Sequence, residues 1–134
     1  MPMSTGFNHV ATGTTNLDRV VAFYRTVFDA ELTLEMAARD DHPRMAILDL
    51  GGGSALNVIE QPAGTIVGDR TLPGGRGPID HYGVAVASRA DLDQIRDRLL
   101  AAGADIGEIH RLGDTWSLFF RDPDGMELEV CTPV

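Results

Sequence analysis

The chain has 134 residues, 43% hydrophobic and 23% charged, a size and balance that suit one compact globular unit with a real core. Its net charge is −9 and all 11 basic residues are Arg, which argues against nucleic acid as a partner and excludes a Lys Schiff base or a Lys phosphate site within the chain. A single cysteine, Cys131, precludes an internal disulfide and fits a reducing cytoplasm, and no apolar run is long enough to span a bilayer.

Phe7 to Thr12 reads as a short strand. Asn16 or Thr15 then offers a helix N-cap, with Asp18 well placed in the first turn. Val20, Phe23, Tyr24, Val27 and Phe28 recur at helical spacing. Ala30 to Met36, Arg44 to Leu50 and Ala55 to Gln61 are strand-like, the last two joined by a glycine-rich turn. His42 sits in a polar loop and is expected to be solvated. Pro62 to Pro78 is rich in Gly and Pro and reads as a linker, with an edge segment at Thr65 to Val67. The pattern then restarts. His81 to Ala87 is a strand, Ser88 with Asp91 resembles a capping box, and Leu92, Ile95, Leu99 and Leu100 form a helix face ending at Gly103. Ala104 to Arg111 and Thr115 to Arg121 are further strands. Asp122-Pro123-Asp124-Gly125 is strong turn chemistry. The strand after it places Met126, Leu128 and Val130 on one face, Glu127 and Glu129 on the other.

The two halves overlay without gaps at an offset of 72 residues, His9 on His81, Asn57 on Glu129 and Gly53 on Gly125. Strand, helix, turn and strand coincide, which predicts two tandem βαβββ modules: an α+β fold with a cupped mixed sheet and helices outside. The expected organisation is a single domain over 1–134, with module one at about 5–61, the linker at 62–78 and module two at about 79–132. His9 and His81 have small neighbours on their own strand faces, and the repeat puts Glu129 at the matching place of the last strand. These three can be ligands converging on one point, or solvated residues of strand faces. Burying Glu129 in a cup without a partner costs several kcal/mol, on the order set by carboxylate desolvation. Glu127, nearer the turn, is expected to be solvent-exposed.

Phe7-Asn8-His9-Val10, Asp80-His81-Tyr82-Gly83-Val84-Ala85-Val86 and Phe120-Arg121-Asp122-Pro123-Asp124-Gly125-x-x-Leu128-Glu129 resemble the vicinal oxygen chelate superfamily, the glyoxalase, fosfomycin-resistance and extradiol-dioxygenase group. The resemblance spans nearly the whole chain. It implies one divalent metal ion, Fe²⁺, Mn²⁺, Zn²⁺ or Ni²⁺, held by His9, His81 and Glu129, with open positions for two oxygens of a small-molecule substrate. It further implies lyase, isomerase or ring-cleaving dioxygenase chemistry and a homodimer, with no nucleic-acid or membrane partner. The alternative is a metal-free protein that sequesters a cationic antibiotic, as bleomycin-resistance relatives do.

The chain also departs from that pattern. Asn57 occupies the place of a proton-transfer Glu in glyoxalase-like members and cannot accept a proton as a carboxylate does, so it is expected to line the site or support it. Glu60 is near in sequence but has the opposite strand parity. The Lys that holds phosphonate in fosfomycin-modifying members is lacking. His110 matches the dioxygenase signature and is the candidate acid–base or substrate-orienting group, while Phe119 stands where that signature has Tyr and is expected to wall the substrate pocket. Arg121 can meet an anionic substrate group or pair with Asp122 or Asp124. Cys131 is expected to be inert.

Overall fold

The computed structural model describes residues 1–71, 75 and 77–134, so residues 72–74 and 76 of the linker lie outside the described part. The chain divides into two compact units, 1–66 and 67–134. Each is a βαβββ module. The first runs β1 (His9–Thr14), α1 (Leu17–Phe28), β2 (Glu31–Met36), β3 (Met45–Gly51) and β4 (Ser54–Glu60). The second runs β5 (Tyr82–Ala85), α2 (Arg89–Ala101), β6 (His110–Leu112), β7 (Thr115–Arg121) and β8 (Glu127–Pro133). Each unit has one four-stranded mixed sheet, in the orders β1-β4-β3-β2 and β5-β8-β7-β6, with β1 parallel to β4 and β5 parallel to β8.

Both helices start where the capping chemistry indicates. The Asn16 side chain accepts from the Arg19 amide, and Ser88 accepts from Asp91 while its hydroxyl donates to the Asp91 carboxylate. They end differently. Asp29 adopts a left-handed conformation at φ 54° to close α1, whereas α2 closes on Ala102 with Gly103 following at φ 71°. Leu17, Val20, Tyr24 and Val27 of α1 are buried, as are Ala46, Leu48, Leu56 and Val58 of the first sheet. In the second unit Leu92, Ile95 and Leu99 of α2 are buried, with Leu118, Phe120, Leu128 and Val130 on one sheet face. Burial of a Leu or Phe side chain stabilises by roughly 1.5–3 kcal/mol, so these layers hold each module together.

The 72-residue offset survives in the pairing itself. Ala11 pairs with Asn57 and Ile47 with Asn57; Gly83 pairs with Glu129 and Phe119 with Glu129. Asn57 and Glu129 are therefore equivalent in backbone position. Two expectations fail. Thr65 to Val67 form no strand; the Thr65 amide and hydroxyl both donate to the Pro62 carbonyl, which makes a turn there. Ala104 to Arg111 is mostly irregular: Ile106 makes an isolated bridge to Phe120, and the regular strand starts only at His110. Among the described residues, no helix is long and apolar enough to cross a membrane.

Candidate metal and substrate site

The turn before β8 is built by Asp122, which is buried. One of its carboxylate oxygens accepts from the amides of Asp124 and Met126, its carbonyl accepts from the Gly125 amide, and Gly125 takes φ 78°. This knot fixes where β8 begins, and alternation then decides which residues face where. Leu128, Val130 and Thr132 point into the helix-covered layer, while Glu127, Glu129 and Cys131 stay partly exposed on the opposite face. Ser117, Phe119 and Arg121 of β7 pair with Cys131, Glu129 and Glu127 and share that face.

Glu129 is 14% exposed and both of its oxygens are engaged. Oε1 accepts a 2.5 Å hydrogen bond from the fully buried Ser117 hydroxyl, within the range of a charge-assisted contact. Oε2 lies 3.3 Å from Nε2 of His81. The other ring nitrogen, Nδ1, is 2.7 Å from the Asp80 carboxylate. With Nδ1–H donated to Asp80, Nε2 presents a lone pair beside the Glu129 carboxylate, an arrangement of two donor atoms that suits a cation between them. The donor chemistry, one imidazole nitrogen and one carboxylate oxygen with their remaining polar atoms tied off, suits a divalent ion of the Mn-to-Zn series.

Phe119 packs its ring edge-to-face on His81, centroids 5.1 Å apart, and stacks on His110 at 6.0 Å with planes 11° apart. The structure thus brings together His81, Glu129, Phe119 and His110. His110 is exposed, its Nδ1 3.3 Å from the Glu108 carbonyl. Cys131, two pairs along from Glu129 on the same face, has its thiol pushed up to about 11 by burial and by the neighbouring Glu129 carboxylate, which keeps it protonated and unreactive at neutral pH.

His9 and Asn57 belong to the first unit. His9 is exposed, and its Nδ1 lies 2.5 Å from the Asn8 side-chain oxygen, repeating with an amide what Asp80 does for His81. Asn57 is partly buried on β4, on the face of Ala11 and Ile47. Among the described residues, no three His, Cys, Asp or Glu side chains are gathered to hold a metal ion. A cavity of about 580 Å³, lined by Arg25, Asp29, Ala30, Glu31 and Leu32, contains none of the candidate residues.

Several roles differ from expectation. Glu127 is not a solvated acid: its side chain is 15% exposed and lies 3.3 Å from Nε of Arg121, its cross-strand neighbour. Arg121 pairs with Glu127 and with Asp105 at 3.6 Å rather than with Asp122 or Asp124, and also donates to the Arg70 carbonyl, so its charge is already engaged. His42 is half-buried rather than solvated, its backbone bonded to Arg39. Glu60 accepts from the Leu17 amide at the start of α1 and lies 3.8 Å from Arg44, so it serves the helix terminus. Sequence reasoning passed over Asn8, Asp80 and Ser117. The first two left a signal, an Asx residue directly before each His at the repeat offset; Ser117 becomes visible only through the strand register.

A model of the glyoxalase/bleomycin resistance protein/dioxygenase superfamily matches residues 6–130. The chain is 34% identical over 137 residues to the metallothiol transferase FosB of Shouchella clausii, covering 97% of this chain and 82% of that protein. Among solved structures, a glyoxylase/bleomycin resistance protein/dioxygenase domain from Frankia sp. EAN1pec superposes with a TM-score of 0.83 at 30% identity, covering 98% of this chain and 99% of that one. A FosX variant from Listeria monocytogenes, complexed with Mn(II) and 1S,2S-dihydroxypropylphosphonic acid, shares the fold at a TM-score of 0.72 and 20% identity, with 96% and 92% of the two chains covered. The two βαβββ modules are the fold of these structures, and the family match over residues 6–130 with the 34% identity to FosB shows that the chain belongs to the glyoxalase/bleomycin resistance protein/dioxygenase superfamily.

Proposed function

We propose that this protein is a metal-dependent enzyme acting on a small molecule through two neighbouring oxygens, with His9, His81 and Glu129 as the metal ligands and the two units working as one domain. The observation that carries this reading is the His81–Glu129 pair, 3.3 Å apart with Nδ1 and Oε1 held by Asp80 and Ser117. A divalent ion at these donors would supply Lewis-acid polarisation of the substrate oxygens. The chain's residues do the rest. Phe119 forms an apolar wall beside His81 and excludes water there. His110, stacked on that wall, is the group able to accept or deliver a proton, and Asn57 contributes an amide that orients but cannot act as a base.

Three reaction types fit this equipment: nucleophilic group transfer, as the name of the FosB relative suggests, isomerase or lyase chemistry, and ring cleavage by an Fe(II)-loaded form. The chain has no Lys and Arg121 is already paired, so a phosphonate group on a substrate would have to be met by another Arg. A homodimer is the proposed assembly, testable by sedimentation equilibrium.

The experiment is an activity panel on protein purified without a metal-binding tag, freed of metal and reloaded with Mn²⁺, Zn²⁺, Ni²⁺ or, anaerobically, Fe²⁺. It would follow thiol consumption with an epoxide, hemithioacetal isomerisation, and oxygen uptake with a catechol. Activity that needs added metal and is lost in Glu129→Ala supports the reading. Metal-independent, stoichiometric binding of a cationic glycopeptide antibiotic, unchanged in Glu129→Ala, would favour the sequestration alternative instead.

A further inference from the structure

We infer that Asp80 and Ser117 are positioning residues that leave His81 and Glu129 one available donor atom each; this rests on the metal-site reading above. The geometry is specific. Asp80 takes Nδ1 of His81 at 2.7 Å, which selects the tautomer whose lone pair is on Nε2, the nitrogen nearest Glu129. Ser117 takes Oε1 of Glu129 at 2.5 Å, which leaves Oε2 as the oxygen beside that nitrogen. A carboxylate able to use both oxygens would occupy two coordination positions on an ion. One held by a hydroxyl on Oε1 would occupy one, which would leave the other position to a substrate oxygen.

The two halves handle this task with different chemistry. Asn8 meets Nδ1 of His9 with a neutral amide oxygen, whereas Asp80 meets Nδ1 of His81 with a carboxylate. An anionic acceptor makes the opposite ring nitrogen a stronger donor, so His81 is the anchoring imidazole and His9 the weaker one. In the first unit, the place equivalent to Ser117 is Met45, which pairs with Ile59 in the register by which Ser117 pairs with Cys131. The hydroxyl clamp thus belongs only to the half that bears the carboxylate.

The test is a Mn(II) titration of the full chain, read by electron paramagnetic resonance for affinity and by water-proton relaxation for the number of waters on the bound ion. Asp80→Ala should weaken binding about ten- to a hundredfold, the usual cost of losing an outer partner of a ligand, and Asp80→Asn should recover only part of it, because a neutral amide oxygen, like that of Asn8 on His9, accepts from Nδ1 without the charge. Ser117→Ala should lower the relaxation per bound ion, because Glu129 can then displace a water with Oε1, and Ser117→Thr should restore it. Asp80 is half-exposed, so its variants keep the fold, and thermal melts verify the Ser117 pair. Wild-type affinity and wild-type relaxation in both alanine variants would overturn the inference while leaving the metal site intact. Failure of the wild-type chain to bind Mn(II) would overturn both.

Discussion

Strands β4 and β8 occupy the same position in the two modules, take the same register against their neighbours, and carry different chemistry. Leu56 and Leu128 are both fully buried, one pair ahead of Asn57 and Glu129 respectively. The apolar positions are retained because each sheet must cover its own helix, whatever the site does. The polar positions face away from that layer and are free to differ, so one half holds an amide among apolar neighbours and the other a carboxylate clamped by Ser117. The modules also differ on the helix-side parity, at Arg44 and Trp116, which are equivalent by the offset; Trp116 pairs with the buried Thr132. Arg44 binds Asp18 and Glu35, whereas Trp116 carries the Arg89 guanidinium 4.4 Å above its ring.

The largest expected effect would break the comparison at the site. Glu129→Ala should reduce divalent-metal affinity by more than about a hundredfold, beyond what outer partners contribute, whereas Asn57→Ala should change it less than about tenfold. Calorimetric titration reads both, and equal losses would make the two strands functionally equivalent.

Next come the buried leucines. Leu56→Ala and Leu128→Ala should each cost about 2–5 kcal/mol, measured by denaturant unfolding, since both sites are fully enclosed. A cost under about 1 kcal/mol at one of them would show that its sheet packs more loosely than its counterpart.

Thr132 offers a smaller and opposite effect. Its hydroxyl is buried at 1% exposure and has no hydrogen-bond partner among the described residues, so Thr132→Val should be neutral or stabilising by up to about 1 kcal/mol.

The smallest effect concerns Asp18. The hydrogen bond from Arg44 holds its carboxyl below the ordinary 3.8. A depressed folded-state value contributes stability above the unfolded value, lost as pH falls through the folded one. Asp18→Asn should therefore lower the melting temperature slightly at pH 5 to 7, with the difference from wild type vanishing in strong acid. The pair is exposed, so the shift should be small and should shrink further with added salt.

Much of this organisation is legible in the sequence because periodicity and turn chemistry are local. Asn16 and Ser88 cap the helices as side-chain chemistry requires, and Asp122 to Gly125 make the turn their composition implies. The repeat could be read from pattern alone because both modules bury the same positions. Partners across strands were not legible. Alternation places Glu127 on the open face, yet only the register that sets it against Arg121 reveals a paired acid rather than a solvated one. Ser117 stayed hidden for the same reason, being twelve residues from the carboxylate it holds. Around Ile106 the alternation suggests a strand, but one isolated bridge and a few backbone bonds to β7 do not form a ladder.

The central claim is that Glu129, and not its counterpart Asn57, works with His9 and His81 to hold one metal ion. It is tested most directly by metal content after equilibration of tag-free protein with Mn(II) and gel filtration. The account predicts about one ion per chain in wild type and in Asn57→Ala, with loss in His9→Ala, His81→Ala and Glu129→Ala. Undiminished metal in the three ligand variants, or none in the wild type, would contradict it.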